Sequence, residues 1–204
     1  MKLKYLIVSV LAVISFSVSA QTYKGTIAAH RQNYLKEFLE DERSPLRQED
    51  FSNLHFYDAD STFLVEAVVT LLQDQSPFRM PTFDGTSKEF VRYAVLDFQL
   101  KDKPYKLTIY RNVALAANTQ YKDYLFLPFT DQTNNKETYG GGRYMDLKVG
   151  DIENNRVLID FNKAYNPYCA YSTGYRCPIP PEENDLQTEI KAGEKLYTGE
   201  KKHK

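Results

Sequence analysis

The chain has 204 residues and a formal net charge of −1, with no basic stripe. That length suits one domain with a sizeable core, and that charge excludes a nucleic-acid partner, which needs a clustered positive surface. Sixteen Tyr and twelve Phe with no Trp favour strands over helices.

Residues 1–20 have the pattern of a cleavable export signal. Lys2 and Lys4 supply positive charge, Leu6 to Phe16 is nearly all apolar, and Val18-Ser19-Ala20 offers small residues before Gln21. The apolar run is shorter than the roughly 20 residues that span a bilayer, so the expectation is a periplasmic or secreted protein without stable membrane insertion. Residues 21–197 then form a single β-rich domain, and Thr198–Lys204 (TGEKKHK) forms a disordered tail.

Next, Ile27, Arg31, Tyr34, Leu35, Phe38 and Leu39 recur at helical spacing. Ser44-Pro45 stops the helix, because the residue before proline is pushed out of the helical region. Strands follow. Phe63, Val65, Ala67, Val69 and Leu71 alternate as one apolar face. Phe90 to Leu100 is apolar on one face except for Arg92, and a turn over Lys101–Pro104 leads into Tyr105 to Arg111, which makes a hairpin. Tyr124–Phe129, Arg143–Val149 and Arg156–Phe161 are three more strands, the last two joined by a polar turn over Gly150–Asn155. Short connections favour antiparallel pairing. The fold class expected is mainly β: an antiparallel sandwich or open barrel with one N-terminal helix packed on it.

Two segments carry loop chemistry: Asp131–Leu147 (DQTNNKETYGGGRYMDL) and Asp160–Asn184 (DFNKAYNPYCAYSTGYRCPIPPEEN). Their strings TYGGGRYMDL and VLIDFNKAYNPYCAY, with CPIPPEENDLQTEIKAGEK, LFLPFTDQT and FSNLHF, closely resemble domain-of-unknown-function family 1684 over roughly Arg31 to Tyr197. This chain departs from the family pattern at Asn53, usually Gly, and at Asn134-Asn135, usually Ser-Gly; both replacements suit turns. The resemblance implies an exported bacterial protein with no established activity.

The glycine run Gly140–Gly142 is followed by a strand-like RYMDL rather than by a helix with Lys-Ser or Lys-Thr, so it fits a bulge or close backbone approach better than a phosphate loop. A nest of backbone N–H groups beside Arg143 would suit a small anion. Cys169 and Cys177, the only cysteines, suit a disulfide in an oxidising compartment. A zinc site lacks a nearby histidine. A Cys169 nucleophile would need a base such as His55, with His30 on the helix and His203 in the tail. Neither a metal nor a cofactor is expected. Asp131, Asp146, Asp160, Glu182 and Glu183 are candidates for a carboxylate pair or for salt bridges and caps.

A buried charge needs a partner, and Arg143 is expected to pair with Asp160 or Glu183, beside a pocket lined by Tyr139, Tyr165 and Asn166. Tyr139, Gly141, Arg143, Asp160, Asn162, Tyr165, Asn166 and Glu183 thus form the candidate ligand site, for a small molecule, glycan or peptide. Tyr139, Tyr144, Tyr165, Tyr168 and Tyr171 would supply either an aromatic platform or core tyrosines with bonded hydroxyls. Two functions compete. One is a non-catalytic binding or structural domain. The other is a hydrolase using the acidic/Arg cluster or Cys169, which would need two titratable groups converging in an open cleft.

Overall fold

The computed structural model describes residues 2–203, and the side chains of residues 21–203. The side chains of residues 1–20, expected to be an export signal with small residues Val18–Ala20 before its cleavage site, lie outside the described residues. The main elements are a helix α1 (Lys2–Glu40) and, among the described residues, eight strands: β1 (Leu64–Leu71), β2 (Phe78–Pro81), β3 (Ser87–Leu100), β4 (Lys103–Asn112), β5 (Tyr124–Asp131), β6 (Arg143–Lys148), β7 (Arg156–Asp160) and β8 (Asp185–Leu186), with a one-turn helix at Val113–Ala116 and short 3-10 turns between them. One sheet runs β6-β5-β4-β3-β1-β7, with β2 on β3 and β8 on β5. All pairs are antiparallel except β5–β8. The sheet is a half-barrel, the open-barrel form of the expected class, and α1 packs on it.

The turn between β3 and β4 is tighter than expected. Lys101 and Asp102 both have positive φ and Leu100 pairs with Lys103, which is a two-residue hairpin turn whose twist matches the flanking strands. A bulge between Arg92 and Ala94 accounts for the one charge in the apolar pattern of β3. It shifts the alternation, so Ala94, Leu96, Phe98 and Leu100 face the main core while Phe90 joins a second cluster with Met80, Tyr110, Phe126 and Tyr144. Along β1, Val65, Ala67 and Val69 are buried as expected, but Leu71, at the strand end, is exposed.

The expected neighbours β6 and β7 do not pair. β7 aligns instead with β1, Ile159 opposite Val65, so β6 and β7 are the two ends of the strand path. Residues 149–155 connect them, a stretch that can span at most about 25 Å. The connection therefore keeps the two edges near each other and the sheet curled.

The concave side is filled by the chain's end. Leu186, Ile190 and Ala192 join Leu107, Ile109, Leu127, Phe129 and Ile159 in the main core, each large aliphatic contributing about 1.5–3 kcal/mol by its burial. Gly193 (φ +77°) is required there, because a Cβ would fall 2.6 Å from the Ala164 carbonyl oxygen and 2.7 Å from that of Phe161. A third cluster docks the helix: Phe38 packs with Leu46, Leu54, Tyr171 and Tyr197. Ile27 is also buried, but Leu39 is exposed, so the helix buries a narrower stripe than its periodicity suggests. The segment expected to be a disordered tail is docked as far as Lys202, whose backbone N–H donates to Tyr171 O and whose carbonyl accepts from Thr173 N. Its ammonium bonds Asp50 Oδ2 at 2.5 Å.

Candidate functional site

Arg143 is a structural clamp. Its side chain has zero exposure, because β6 alternation turns it to the concave side. The guanidinium donates to Asp131 Oδ2 at 2.7 Å, to Ile190 O at 2.8 Å, to Glu194 O at 3.3 Å, and to Ala192 O. It lies 5.2 Å from the Phe129 ring centroid. One fork thus satisfies three carbonyls of the C-terminal plug and one carboxylate. The expected partners were wrong for a topological reason: Asp160 and Glu183 are held elsewhere. Asp160 accepts from Tyr23 Oη at 2.9 Å and from Asn162. Glu183 accepts from Arg92 and Tyr110, each at 2.9 Å.

The remaining predicted residues divide. The Tyr139 hydroxyl donates to the Cys169 carbonyl at 3.5 Å, and its ring packs edge-on against Phe83. A Cβ on Gly141 would meet the Tyr139 and Phe83 rings, and one on Gly142 (φ +84°) would fall 2.6 Å from Phe129 O. The glycine run is thus a close approach between segments. Asn162 is buried and bridges the helix to the loop at 59–63, bonding Tyr23 Oη and both backbone groups of Asp60. Asn166 is buried, donating to Lys195 O and, through its backbone, to Glu194 Oε2. Cys169 and Cys177 are at disulfide distance, Cα atoms 6.2 Å apart. The two loop segments do meet, through Tyr144 and Tyr165, which exchange both backbone hydrogen bonds, and through the Tyr144 hydroxyl, which donates to Pro178 O. Of the pocket expected beside Arg143, lined by Tyr139, Tyr165 and Asn166, only Tyr165 borders the open space; Arg143, Tyr139 and Asn166 do not.

The space lies between α1 and the two edge strands. An open cleft of about 1390 Å³ takes its lining from α1 (His30, Tyr34, Glu37), from β6 (Tyr144–Leu147) and from β7 (Arg156–Asp160). A chain of rings runs along it: Phe90–Phe126 with centroids 5.6 Å apart, Phe126–Tyr144 4.7 Å, Tyr144–Tyr165 6.0 Å and Tyr165–Tyr34 5.9 Å. At the centre is Asp146. Tyr124 and Tyr165 both donate to its Oδ1, each at 2.7 Å. Among the described residues, Asp146 has no ion pair and its Oδ2 no hydrogen-bond donor. The residue is open to solvent on the cleft side yet hemmed in by protein, and that desolvation pushes its carboxyl up against the opposing pull of the two hydroxyls. Glu37, which lines the same cleft, is pushed up by desolvation and by the Asp146 and Glu40 charges.

Behind this wall is a fully buried carboxyl. Glu194 has zero exposure. It accepts from Tyr171 at 2.6 Å, Tyr34 at 2.9 Å and the Asn166 N–H at 2.9 Å. Burial still pushes it up to about 7. Tyr34 therefore connects the cleft to the plug that Arg143 holds. Asp146 and Tyr165 were legible as candidates in the sequence; Glu37 and Glu194 were not, since one sits on the solvent side of a helical pattern and the other in an ordinary charged string. Among the described residues, no group of three or more His, Cys, Asp or Glu is placed to hold a metal, and no helix is long and apolar enough to cross a membrane.

The family described as Protein of unknown function (DUF1684) matches residues 49–195. The chain belongs to this family. A similar solved structure is the solution NMR structure of an uncharacterized protein of Haloarcula marismortui, 32% identical, with a TM-score of 0.66, covering 87% of this chain and 96% of that one. No curated protein matches the chain. The matched region holds β1–β8, Asp146, Arg143 and Glu194; α1, with Tyr34 and Glu37, precedes it.

Proposed function

We propose that this member of the family is an exported, non-catalytic binding domain whose cleft takes a small molecule bearing a cation or a strong hydrogen-bond donor. The observation that carries the reading is the state of Asp146. One carboxylate oxygen is fixed by two tyrosine hydroxyls, and the residue lines an aromatic cleft where, among the described residues, the other oxygen has no donor and no cation is paired to it. A few convergent polar groups in an aromatic cleft are the usual form of a ligand site. An ammonium there would meet both a carboxylate and ring faces. Pairing of Cys169 with Cys177 removes the thiol nucleophile on which a cysteine mechanism would depend.

The test is an NMR chemical-shift titration with n-hexylamine. Binding should map to Tyr34, Asp146 and Tyr165, and Asp146→Asn should weaken it by about 10–100-fold, the worth of one charge-assisted hydrogen bond. An affinity unchanged in Asp146→Asn, or no binding to the wild type, would overturn the reading. A second reading, hydrolysis by paired carboxylates, draws on Glu37 and Asp146 both lining the cleft. That reading predicts turnover of p-nitrophenyl glycosides that is lost in both Glu37→Gln and Asp146→Asn.

A further inference from the structure

The far end of the same cleft carries the opposite charge. Lys88, Arg43 and Arg176 line it there, alongside Phe90, Tyr175 and Pro178. Arg176 is held in place: its Nε donates to Thr86 Oγ1 at 3.0 Å, Nη2 to Ser87 O at 3.3 Å, and Asp84 lies 3.6 Å away. The Asp84 carboxylate is itself occupied by the Thr82 and Thr86 hydroxyls, at 2.5 and 2.7 Å. Arg43 is paired with Asp41 at 3.4 Å. Lys88 is the excess cation. It is half-buried, and among the described residues its ammonium has neither an ion pair nor a hydrogen bond. Desolvation and the neighbouring Arg176 and Arg43 charges push its amine down, with only Asp84 opposing.

Lys88 precedes Phe90 by two residues on β3, so the two share a face. Phe90 stacks on Phe126, and Phe126 is the register partner of Asp146. The rings therefore form a continuous apolar floor from the cation on β3 to the carboxylate on β6. Those strands are three spacings apart, about 14 Å between backbones, and both side chains shorten that gap.

We infer that the ligand is a zwitterion, with its ammonium on Asp146, its anionic group between Lys88 and Arg176, and an apolar body across the Phe90–Phe126–Tyr144 rings. This rests on the cleft being the binding site and adds the class of molecule it selects. A monovalent cation would leave Lys88 uncompensated beside two arginines, and a monovalent anion would leave Asp146 without a cation; a molecule with both charges relieves each end.

The experiment compares n-alkylamines with ω-aminoalkanoates and ω-aminoalkylphosphonates of matching and increasing chain length, on the wild type and on Lys88→Ala. At one chain length the zwitterion should bind at least about tenfold more tightly than the amine, the effect of one added charge-assisted contact. Lys88→Ala should remove that gain, while the amine binds at least as tightly as to the wild type. A gain in either zwitterion series supports the inference, and which series shows it distinguishes a carboxylate from a phosphate head. No gain at any length, or a gain that survives in Lys88→Ala, overturns it while the amine site stands. Failure of the amines themselves to bind overturns both.

Discussion

Replacing Arg143 with alanine tests the clamp that closes the half-barrel. The substitution strands three carbonyls, of Ile190, Ala192 and Glu194, and leaves the Asp131 carboxylate buried without its cation. Breaking a buried pair in this way costs about 3–5 kcal/mol. Asp131 keeps three other donors, the Thr133 N–H at 2.8 Å, the Thr133 hydroxyl at 2.6 Å and the Ile190 N–H at 3.2 Å, which holds the loss within that range although the carbonyls are stranded too. Arg143→Lys keeps the charge but not the fork, since one ammonium cannot serve acceptors on opposite sides of a planar group; about half the loss should remain. Arg143→Met combined with Asp131→Asn should cost less than the two single changes together, with a coupling of about 1–3 kcal/mol. Urea denaturation followed by circular dichroism gives the stabilities, and hydrogen exchange at residues 190–194 locates the damage. A loss under about 1 kcal/mol for Arg143→Ala, or unchanged exchange in the plug, would refute the assignment of Arg143 as the residue that holds the chain's end inside the sheet.

Glu194 predicts a pH dependence of stability. Its carboxyl goes from the ordinary 4.5 to about 7 on folding, so below about pH 4.5 both states hold the proton and the contribution is fully present. Between there and pH 7 the unfolded chain releases the proton while the folded chain keeps it, so stability falls as pH rises, by up to about 3 kcal/mol in all. Urea midpoints measured across that window should decline, and Glu194→Gln should flatten the slope. The export reading predicts that the protein recovered from the cell envelope or medium begins at Gln21; intact mass showing residues 1–20 retained would refute cleavage.

The strand pattern was legible because alternation and local turns need only neighbouring residues. Val65, Ala67 and Val69 alternate as a core face, and Lys101-Asp102 reverses the chain between β3 and β4. The helix from Ile27 to Phe38 was legible for the same reason, as was the pairing of Cys169 with Cys177 across a short loop. The bulge at Arg92 was visible only as an exception to a pattern, because the extra residue that shifts the face carries no sequence mark.

What only the tertiary structure decided is which charges meet. Arg143 needed an acid, and several stood within reach along the chain. The choice of Asp131 followed from β5 and β6 lying side by side with both residues turned to the concave face, where residues 190–194 complete the core. The cleft depends on a longer-range choice still. β7 pairs with β1 rather than with its sequence neighbour β6, so two strand edges are left with α1 beside them. Asp146, held by Tyr124 and Tyr165, then lines with Glu37 a space that no local pattern encodes, because hydrophobic periodicity specifies which face of a strand is buried but not which strand will stand at its edge.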